Sequence, residues 1–366
     1  MKLLYIIDYF DNPHGGTELQ FWRLLEGMRS RGNTVHLAVF RDTAYTADEV
    51  FPVPRFNLLI AKIFSFSAIL KVFKLASWAR RENIDVLHIF FNDASIICPF
   101  IFRCFGIPVI VSRRDMGFWI NTIRRIPLIL NARVVSRYIV NCSAVKEITS
   151  KLEFVRKNKI QIVYNGYEST DKDFVDDKFL SYKKTIEGKL VVGIVANYHP
   201  VKRLEDAIEA IAKIAHNFPE LRFVVAGSGN REVYQRDVLF RELSDRVLFL
   251  GQVENSINYI KTFDIAILCS QSEGLSNSII EYMKQGKPVI ATAVGGNTDL
   301  VIHGETGLLV KVSAIDELAS AFTDLLQDRE KRESFGRNGK DFVDSKFSNE
   351  IMLDQHEEIY AELARQ

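Results

Sequence analysis

The chain is predicted to be an α/β protein made of two doubly wound parallel-sheet domains. Three observations carry that expectation. Short apolar runs alternate with amphipathic helical stretches along nearly the whole sequence. The alternation stops over residues 168–189, which are polar, charged and without clear period, and then restarts. The length of 366 residues is also long for one hydrophobic core and suits two domains of ordinary size. The domains are accordingly placed at 1–167 and 190–346, with a linker region over 168–189 and a terminal helix over 347–366.

In the first half, a strand over 3–7 ends at Asp8, and an amphipathic helix over about 19–31 leads to a strand over 35–40. The intervening loop holds Gly15 and Gly16, which let a backbone come close to a ligand at the start of a helix. It lacks the GxGxxG dinucleotide fingerprint, and a plain loop ending in two glycines is the simpler alternative. Residues 56–79 are apolar with helical period, interrupted by Lys62, Lys71 and Lys74. That pattern fails the uninterrupted apolar span of a membrane helix and fits a helix that covers the core or lies at an interface. Strands over 84–90 and 108–111 flank an apolar helix over 94–105. His88, inside the first of them, reads as a satisfied core histidine.

The segment 112–137 carries Arg113, Arg114, Arg124, Arg125, Arg133 and Arg137 with one acid, Asp115, and with Phe118 and Trp119 interleaved. Arginine forks suit phosphate and aromatic rings suit a sugar face or a lipid interface, so six arginines without matching acids point to an anionic ligand. Strands over 138–140 and 160–163 and a helix from Ser143 to about Arg156 close the first half. In the second half, strands are expected over 190–195, 221–226, 247–250, 263–269, 288–291 and 307–310. Helices are expected over about 203–217, 230–243, 255–262, 277–285 and 315–328, and a terminal one over 348–363.

Composition narrows the function classes. Residues 1–165 hold 23 Lys plus Arg against 13 Asp plus Glu, whereas residues 166–366 hold 24 against 33. An anionic partner is therefore expected on the first half. Cys98, Cys104, Cys142 and Cys269 form no CxxC pair and have no histidine at zinc spacing, which argues against disulfides and structural zinc. The opening run from Lys2 to Asp8 is too short for a signal-peptide core, so a reducing cytoplasmic location is expected. No nucleic-acid-binding module is recognisable.

The stretch 271–288 concentrates the chemistry. A strand runs into a loop bearing Glu273, and Ser276 or Asn277 caps the helix that carries Glu281. The first N–H groups of such a helix suit a phosphate, with one carboxylate placed for a sugar and the other for a ribose. The alternative is a loop acid and a solvated helix acid.

Together with Tyr164-Asn165-Gly166, Val225 to Gly229, Leu250-Gly251, Ser272-Glu273-Gly274, Gly286 to Thr292, Val294 to Asn297 and Gly304 to Val310, this stretch resembles the retaining GT-B glycosyltransferases of family 4. The resemblance implies two Rossmann-like domains facing a cleft, with the C-terminal helix crossing back to the first domain. It implies a nucleotide-sugar donor, a UDP- or GDP-sugar, held on the second domain. Lys202 would hold the diphosphate, and Glu273 would meet the donor sugar. The backbone of Gly274, Leu275, Ser276 and Asn277 would meet sugar and diphosphate, Glu281 the ribose, and Val253 the base edge. Gly15 and Gly16 would close over the phosphates. Two positions depart from the family pattern: Asn197 stands where an arginine is usual, with Arg203 as its candidate substitute, and Arg114 stands where a histidine is usual, ahead of Asp115.

The expected reaction is retaining transfer of a hexosyl-type sugar to a saccharide or polyprenyl-diphosphate-linked acceptor in cell-surface polysaccharide synthesis. Lys202, Arg203 and a helix end can take up the leaving group's charge without a metal, so neither metal nor cofactor is expected. Arg113, Asp115, Phe118 and Trp119 are the acceptor-side candidates, with peripheral membrane contact through the basic first domain. The alternatives are a non-catalytic nucleotide-sugar-binding subunit and a GT-B sugar-nucleotide epimerase.

Overall fold

The computed structural model describes residues 1–12, 16–47, 51–168 and 176–365. Contacts divide the chain into two units, Met1–Gly166 with Ser348–Gln366, and Tyr167–Phe347.

The first unit is a parallel sheet of β1 (Lys2–Ile7), β2 (Thr34–Val39), β3 (Arg55–Asn57), β4 (Val86–Ile89), β5 (Val109–Arg113), β6 (Arg137–Val140) and β7 (Ile160–Ile162). Their order is β3-β2-β1-β4-β5-β6-β7, so the winding reverses between β1 and β4. The helices are α1 (Gly16–Ser30), α2 (Ala44–Ala47), α3 (Phe66–Arg81), α4 (Asp93–Cys104), α5 (Thr122–Val134) and α6 (Ser143–Leu152). Right-handed crossovers send α1 to one face of the sheet and α3 to α6 to the other. The apolar residues of β1 are buried on both faces, as a central parallel strand requires.

The second unit opens with α7 (Asp177–Thr185) and a sheet of β8 (Leu190–Val195), β9 (Leu221–Ala226), β10 (Val247–Gly251), β11 (Ile265–Leu268), β12 (Val289–Thr292) and β13 (Gly307–Val310). Strand order is β10-β9-β8-β11-β12-β13, all parallel, with the reversal between β8 and β11. Its other helices are α8 (Leu204–Ile214), α9 (Glu232–Phe240), α10 (Ser256–Lys261), α11 (Asn277–Lys284), α12 (Asn297–Leu300), α13 (Ile315–Gln327) and α14 (Arg329–Lys346). The last helix, α15 (Asn349–Ala364), returns to the first unit.

Three local expectations change. The aperiodic stretch 168–189 contains α7, capped by Asp176, whose carboxylate accepts from Phe179 N–H. Only Tyr182 of α7 is buried, its hydroxyl 2.6 Å from Thr262 Oγ1, and one apolar anchor leaves no period to read. Residues 329–346 form α14, although their apolar residues are sparse and two glycines lie inside. Gly336 explains the packing: a Cβ there would stand 2.0 Å from Gly286 O, so only glycine lets α14 lie against the turn after α11. Finally, residues 56–79 are not one helix, because Arg55–Asn57 joins the sheet edge and α3 starts at Phe66 behind its Ser65 cap.

α15 packs with α1 and β1, where Met352, Leu353, Ile359, Tyr360 and Leu363 join the core of the first unit. Gly27 of α1 allows close approach, since a Cβ would stand 2.4 Å from Leu353. Arg31 meets Glu350, Asp354 and Glu357 at 2.6, 2.7 and 3.0 Å. Beneath α15 lies a buried polar chain. Tyr5 and Tyr360 hydroxyls are 3.2 Å apart, Tyr360 is 2.7 Å from His88 Nδ1, and His88 Nε2 is 2.8 Å from Ser112 Oγ. His88 is thus the satisfied core histidine that its strand suggested.

The arginine segment is corrected by its partners. Arg113, expected on the acceptor side, is buried and bonds Glu153 at 2.6 and 3.0 Å. Arg137 pairs with Glu362, Arg124 approaches Asp93 at 3.7 Å, and Arg125 donates to Leu152 O at 2.9 Å. The matching acids are distant in sequence and come together only on folding. Because Glu153 is the partner of a buried charge, Glu153→Ala should destabilise the first unit by about 3–5 kcal/mol, read from its urea midpoint.

Burial also holds two histidines neutral: His88 lies well below the usual range, and His356 is pushed down to about 3. Unfolded, both titrate near about 6.5, so below that pH the unfolded chain binds more protons and stability falls towards pH 3. Asp8 opposes this, since burial raises it to about 6 and the folded chain takes up its proton between 6 and the unfolded value of about 3.9. Two groups outweigh one. The thermal midpoint of the first unit should fall between about pH 7 and 5, and His356→Met should flatten the fall; an identical profile in that variant would overturn the assignment.

Candidate functional site

In open α/β sheets, ligands settle beyond the carboxyl ends of the strands where the winding reverses. In the second unit that place lies between β8 and β11. Two loops meet there: residues 196–203 after β8 and residues 269–276 after β11.

The loops are fastened by backbone and side-chain bonds. Gln271 N–H donates to Val201 O at 2.7 Å. The Cys269 thiol donates to Lys202 O and Arg203 O at 3.2 and 3.1 Å. Its burial pushes the thiol up to about 12, so it stays a donor. Thr292 Oγ1 donates to Ser270 O at 2.6 Å, which ties the second loop to the end of β12. Behind it, Gly295 adopts φ 51, and a Cβ there would stand 1.8 Å from Glu273 O. Gly296 N–H donates to Gly274 O at 2.6 Å. The turn at 295–296 therefore supports the backbone of Glu273 and Gly274.

Lys202 Nζ reaches Glu273 Oε1 at 2.6 Å, and Ser270 Oγ donates to the same oxygen at 2.6 Å. Lys202 closes a short 3₁₀ turn, Pro200–Lys202, whose start is capped by His199. The next residue, Arg203, takes φ 48, a left-handed conformation that costs an L residue roughly 1–2 kcal/mol. Its guanidinium is clamped on Asp206, with Nε to Oδ2 at 2.6 Å and Nη2 to Oδ1 at 2.7 Å. Arg203 thus starts α8 with its charge matched by a neighbour, which weakens it as a substitute for the arginine missing at 197. Asn197 instead bridges loops, accepting from Ser228 N at 3.2 Å and from Ser228 Oγ at 2.9 Å.

Ser276 caps α11, accepting from Ile279 N–H at 3.4 Å, and Asn277 is the first helical residue. Tyr282 and Ser278, one turn apart, hold the end of β8: Val195 N–H donates to Tyr282 Oη at 2.7 Å, and Ser278 Oγ donates to Val195 O at 3.0 Å. The positive end of α11 is thereby set at the switch point. Leu275 is buried beside Gly274, Glu281 is half-buried on α11, and Val253 is half-buried in the loop after β10. Ser278, Tyr282 and Thr292 carry no signal in the sequence, because each works through a backbone group of a distant segment, and Ser270 reads as an ordinary loop serine until its hydroxyl is seen on Glu273.

In the first unit the corresponding reversal lies between β1 and β4. Asp8, at the end of β1, accepts the N–H groups of Asn92, Asp93 and Ala94 at 3.0, 2.8 and 2.8 Å, which fixes the start of α4. Arg114 follows β5. One of its nitrogens, Nη1, donates to Asn165 Oδ1 at 2.7 Å, while Nε and Nη2 are buried without a hydrogen-bond partner. Burial pulls this guanidinium down to about 10, and it lies 5.6 Å above the Phe90 ring. Thr17, Asn92, Ser112 and Asp115 line the same small cavity. Asp115 is exposed and accepts from Gly117 N–H at 2.6 Å. Trp119 lies between Arg113 and Arg124, at 5.3 and 6.0 Å, and Phe118 is 80% exposed. Asn165, the partner of Arg114, belongs to a motif the sequence showed without assigning it this role. Gly16 begins α1, whereas Gly15 lies outside the described residues.

A cavity of about 370 Å³ lined by Leu190, Asp264, Lys287 and Arg329 sits at the amino ends of β8, β11 and β12. That is the wrong end of a parallel sheet for the ligand site, and the loop clamp is absent from it. Among the described residues no cluster of three or more His, Cys, Asp or Glu could hold a metal ion. An Asp-x-Asp stretch, Asp171-Lys172-Asp173, lies outside the described residues.

Comparison with known proteins bears on the family and the fold. Residues 14–170 match Glycosyltransferase Family 4 and residues 176–342 match Glycosyl transferases group 1. The chain is 27% identical over 365 residues to N-acetyl-alpha-D-glucosaminyl L-malate synthase of Bacillus anthracis, covering 96% of this chain and 90% of that protein. It is 26% identical over 310 residues to UDP-Gal:alpha-D-GlcNAc-diphosphoundecaprenol alpha-1,3-galactosyltransferase of Escherichia coli, covering 78% of each. In fold it is similar to Anabaena HepE solved with UDP, with a TM-score of 0.85 at 21% identity, covering 99% of this chain and 100% of that one. Matched in chain order across both units, the two family descriptions make this protein a family 4 glycosyltransferase of the GT-B fold.

Proposed function

We propose that the protein transfers a sugar, with retention, from a UDP- or GDP-sugar to a saccharide or polyprenyl-diphosphate-linked acceptor, without a metal ion, and that it works against a membrane surface. The observation that carries the donor half is the Lys202–Glu273 pair held at the switch point of the second unit. HepE, solved with UDP, the Escherichia coli relative, named a galactosyltransferase, and the Bacillus anthracis relative, named the synthase of a glucosaminyl malate, support the same class.

In this reading Lys202 exchanges its carboxylate partner for the donor diphosphate, and the amino end of α11 takes part of the same charge. Ser270 then keeps Glu273 in place through Oε1 while its other oxygen meets a sugar hydroxyl. Glu281 takes the ribose, and Val253 edges the base. The bond from the anomeric carbon to the phosphate oxygen breaks as the acceptor oxygen attacks from the same side, and the acceptor proton passes to the departing phosphate. Arg114, with two buried nitrogens unpartnered among the described residues, faces the charge of the acceptor. It can do this as a cation but not as a proton acceptor, because even at about 10 its guanidinium stays protonated at neutral pH.

Lys202→Ala should lower transfer roughly a hundred- to a thousandfold while the variant stays folded at the assay temperature, read by its circular dichroism. The assay is run with a chelator present, and near-wild-type turnover in the variant would overturn the reading. A panel of nucleotides tested by thermal shift should show UDP or GDP stabilising the protein, by about 2.7 kcal/mol at a hundred times the dissociation constant, and Glu281→Ala should lose that shift. Equal shifts with unrelated nucleotides would remove the ribose and base assignments.

A further inference from the structure

The first unit has an outer helical layer with two apolar faces where one is needed. On α3, Ala68, Val72, Leu75, Ala76 and Ala79 are buried against the sheet. On its opposite side Phe66, Ile69, Leu70 and Phe73, spaced as one helical stripe, are exposed, with Phe66 at 81%. The same happens on α5, where Leu128 and Ala132 are buried while Ile123, Ile126 and Leu130 are exposed, Ile123 at 70%. Between them α4 contributes Phe100, and the end of α4 is joined to α3 by Phe73 and Phe105, whose rings lie 4.9 Å apart. Right-handed crossovers put α3, α4 and α5 on one side of the sheet in that order, and α3 touches α4 as α4 touches α5. Their exposed stripes therefore belong to one surface. Isolated exposed apolar residues need no explanation, but a patch spanning three helices does.

Charge says what covers it. The three helices carry Lys71, Lys74, Arg80, Arg81, Arg103, Arg124, Arg125 and Arg133 against a single acid, Asp93, which is buried and paired with Arg41. Lys74, Arg103 and Arg133 are exposed on the layer, with Lys62 on the segment before α3. That segment folds back on α3 through Lys71 Nζ, which donates to Leu59 O at 2.9 Å, and it adds exposed Leu59 and Phe64. A second copy docked face to face would set this basic layer against itself with no carboxylate to match, since a two-fold contact pairs the same patch with itself. A bilayer rich in anionic lipid supplies both missing partners, acyl chains for the apolar stripes and phosphates for the cations.

We propose that the outer face of α3, α4 and α5 is a docking surface for an anionic lipid bilayer. The inference rests on the membrane part of the reading above and gives it a location. It also moves the contact away from the arginines at 113 and 125, which folding uses internally, to the lysines and exposed aromatic residues of α3. No helix among the described residues is long and apolar enough to cross a membrane, so docking here is peripheral.

The full-length protein is sedimented with vesicles of phosphatidylcholine alone and with phosphatidylglycerol added. Binding is expected only with the anionic lipid. The double variant Phe66→Ser, Ile69→Ser should weaken partitioning by about tenfold or more, as loss of two buried apolar groups requires. Lys74→Gln should weaken it by about fivefold and reduce its salt dependence. All variants should keep the wild-type thermal shift with UDP or GDP, whichever stabilises the parent protein. Binding indifferent to these substitutions, or no binding to either vesicle, overturns the proposal. So does a dimer in solution that the same apolar variants split, because that assigns the face to a second copy. Absence of a shift with both UDP and GDP in the wild-type protein, with vesicle binding intact, would instead sink the donor assignment and leave this surface standing.

Discussion

The site depends on what happens to one residue, Val195, at the end of β8. On its β9 side β8 is paired through Val195, but its ladder with β11 stops at Gly193, so the groups of Val195 on that side must find other partners. Here α11 supplies both, through Tyr282 and Ser278. That solution fixes the amino end of α11 over the gap between β8 and β11, and it draws the two flanking loops close enough for Gln271 and Cys269 to bond the backbone of residues 201–203. Lys202 and Glu273, 71 residues apart in sequence, meet as a consequence. Their pairing spares the structure the cost of an unpaired half-buried charge, and in the proposed reading it keeps a cation in place for the leaving group.

The first unit handles its own reversal point differently. Asp8 takes three N–H groups at the start of α4, so that helix end is already satisfied by a carboxylate. In the proposed reading an anion is met in this unit by Arg114, whose Nε and Nη2 are buried with no hydrogen-bond partner among the described residues. Where a histidine could exchange a proton near neutral pH, an arginine holds its charge throughout. If Arg114 lies on the acceptor side as proposed, it offers electrostatics there and not proton transfer.

Two kinds of positive charge account for the basic first half. Arg113 and Arg137 are consumed by carboxylates from elsewhere in the fold, at Glu153 and Glu362. Lys62, Lys74 and Arg103 remain outside, beside exposed phenylalanines. Net charge by segment shows the excess and cannot separate the two, since a charge's partner is set by packing and not by position in the chain.

By itself the sequence determined the fold class, most strand positions and the motif residues around Glu273, because burial on both faces of a parallel sheet writes long apolar runs and because loop glycines are demanded locally. Strands 190–195, 221–226 and 307–310 lie where the runs put them. Tertiary structure alone decided α7 and α14, whose hold comes from a single tyrosine and from a glycine against a backbone carbonyl. It also decided which arginines are spent inside, that Arg203 belongs to Asp206, and that Ser270, Ser278 and Tyr282 frame the site. Most of these depend on a bond between residues far apart or on a backbone group, which a side-chain pattern along one chain does not record; the Arg203–Asp206 and Ser270–Glu273 bonds join near neighbours, and there the backbone conformation of the loop decides whether the side chains meet.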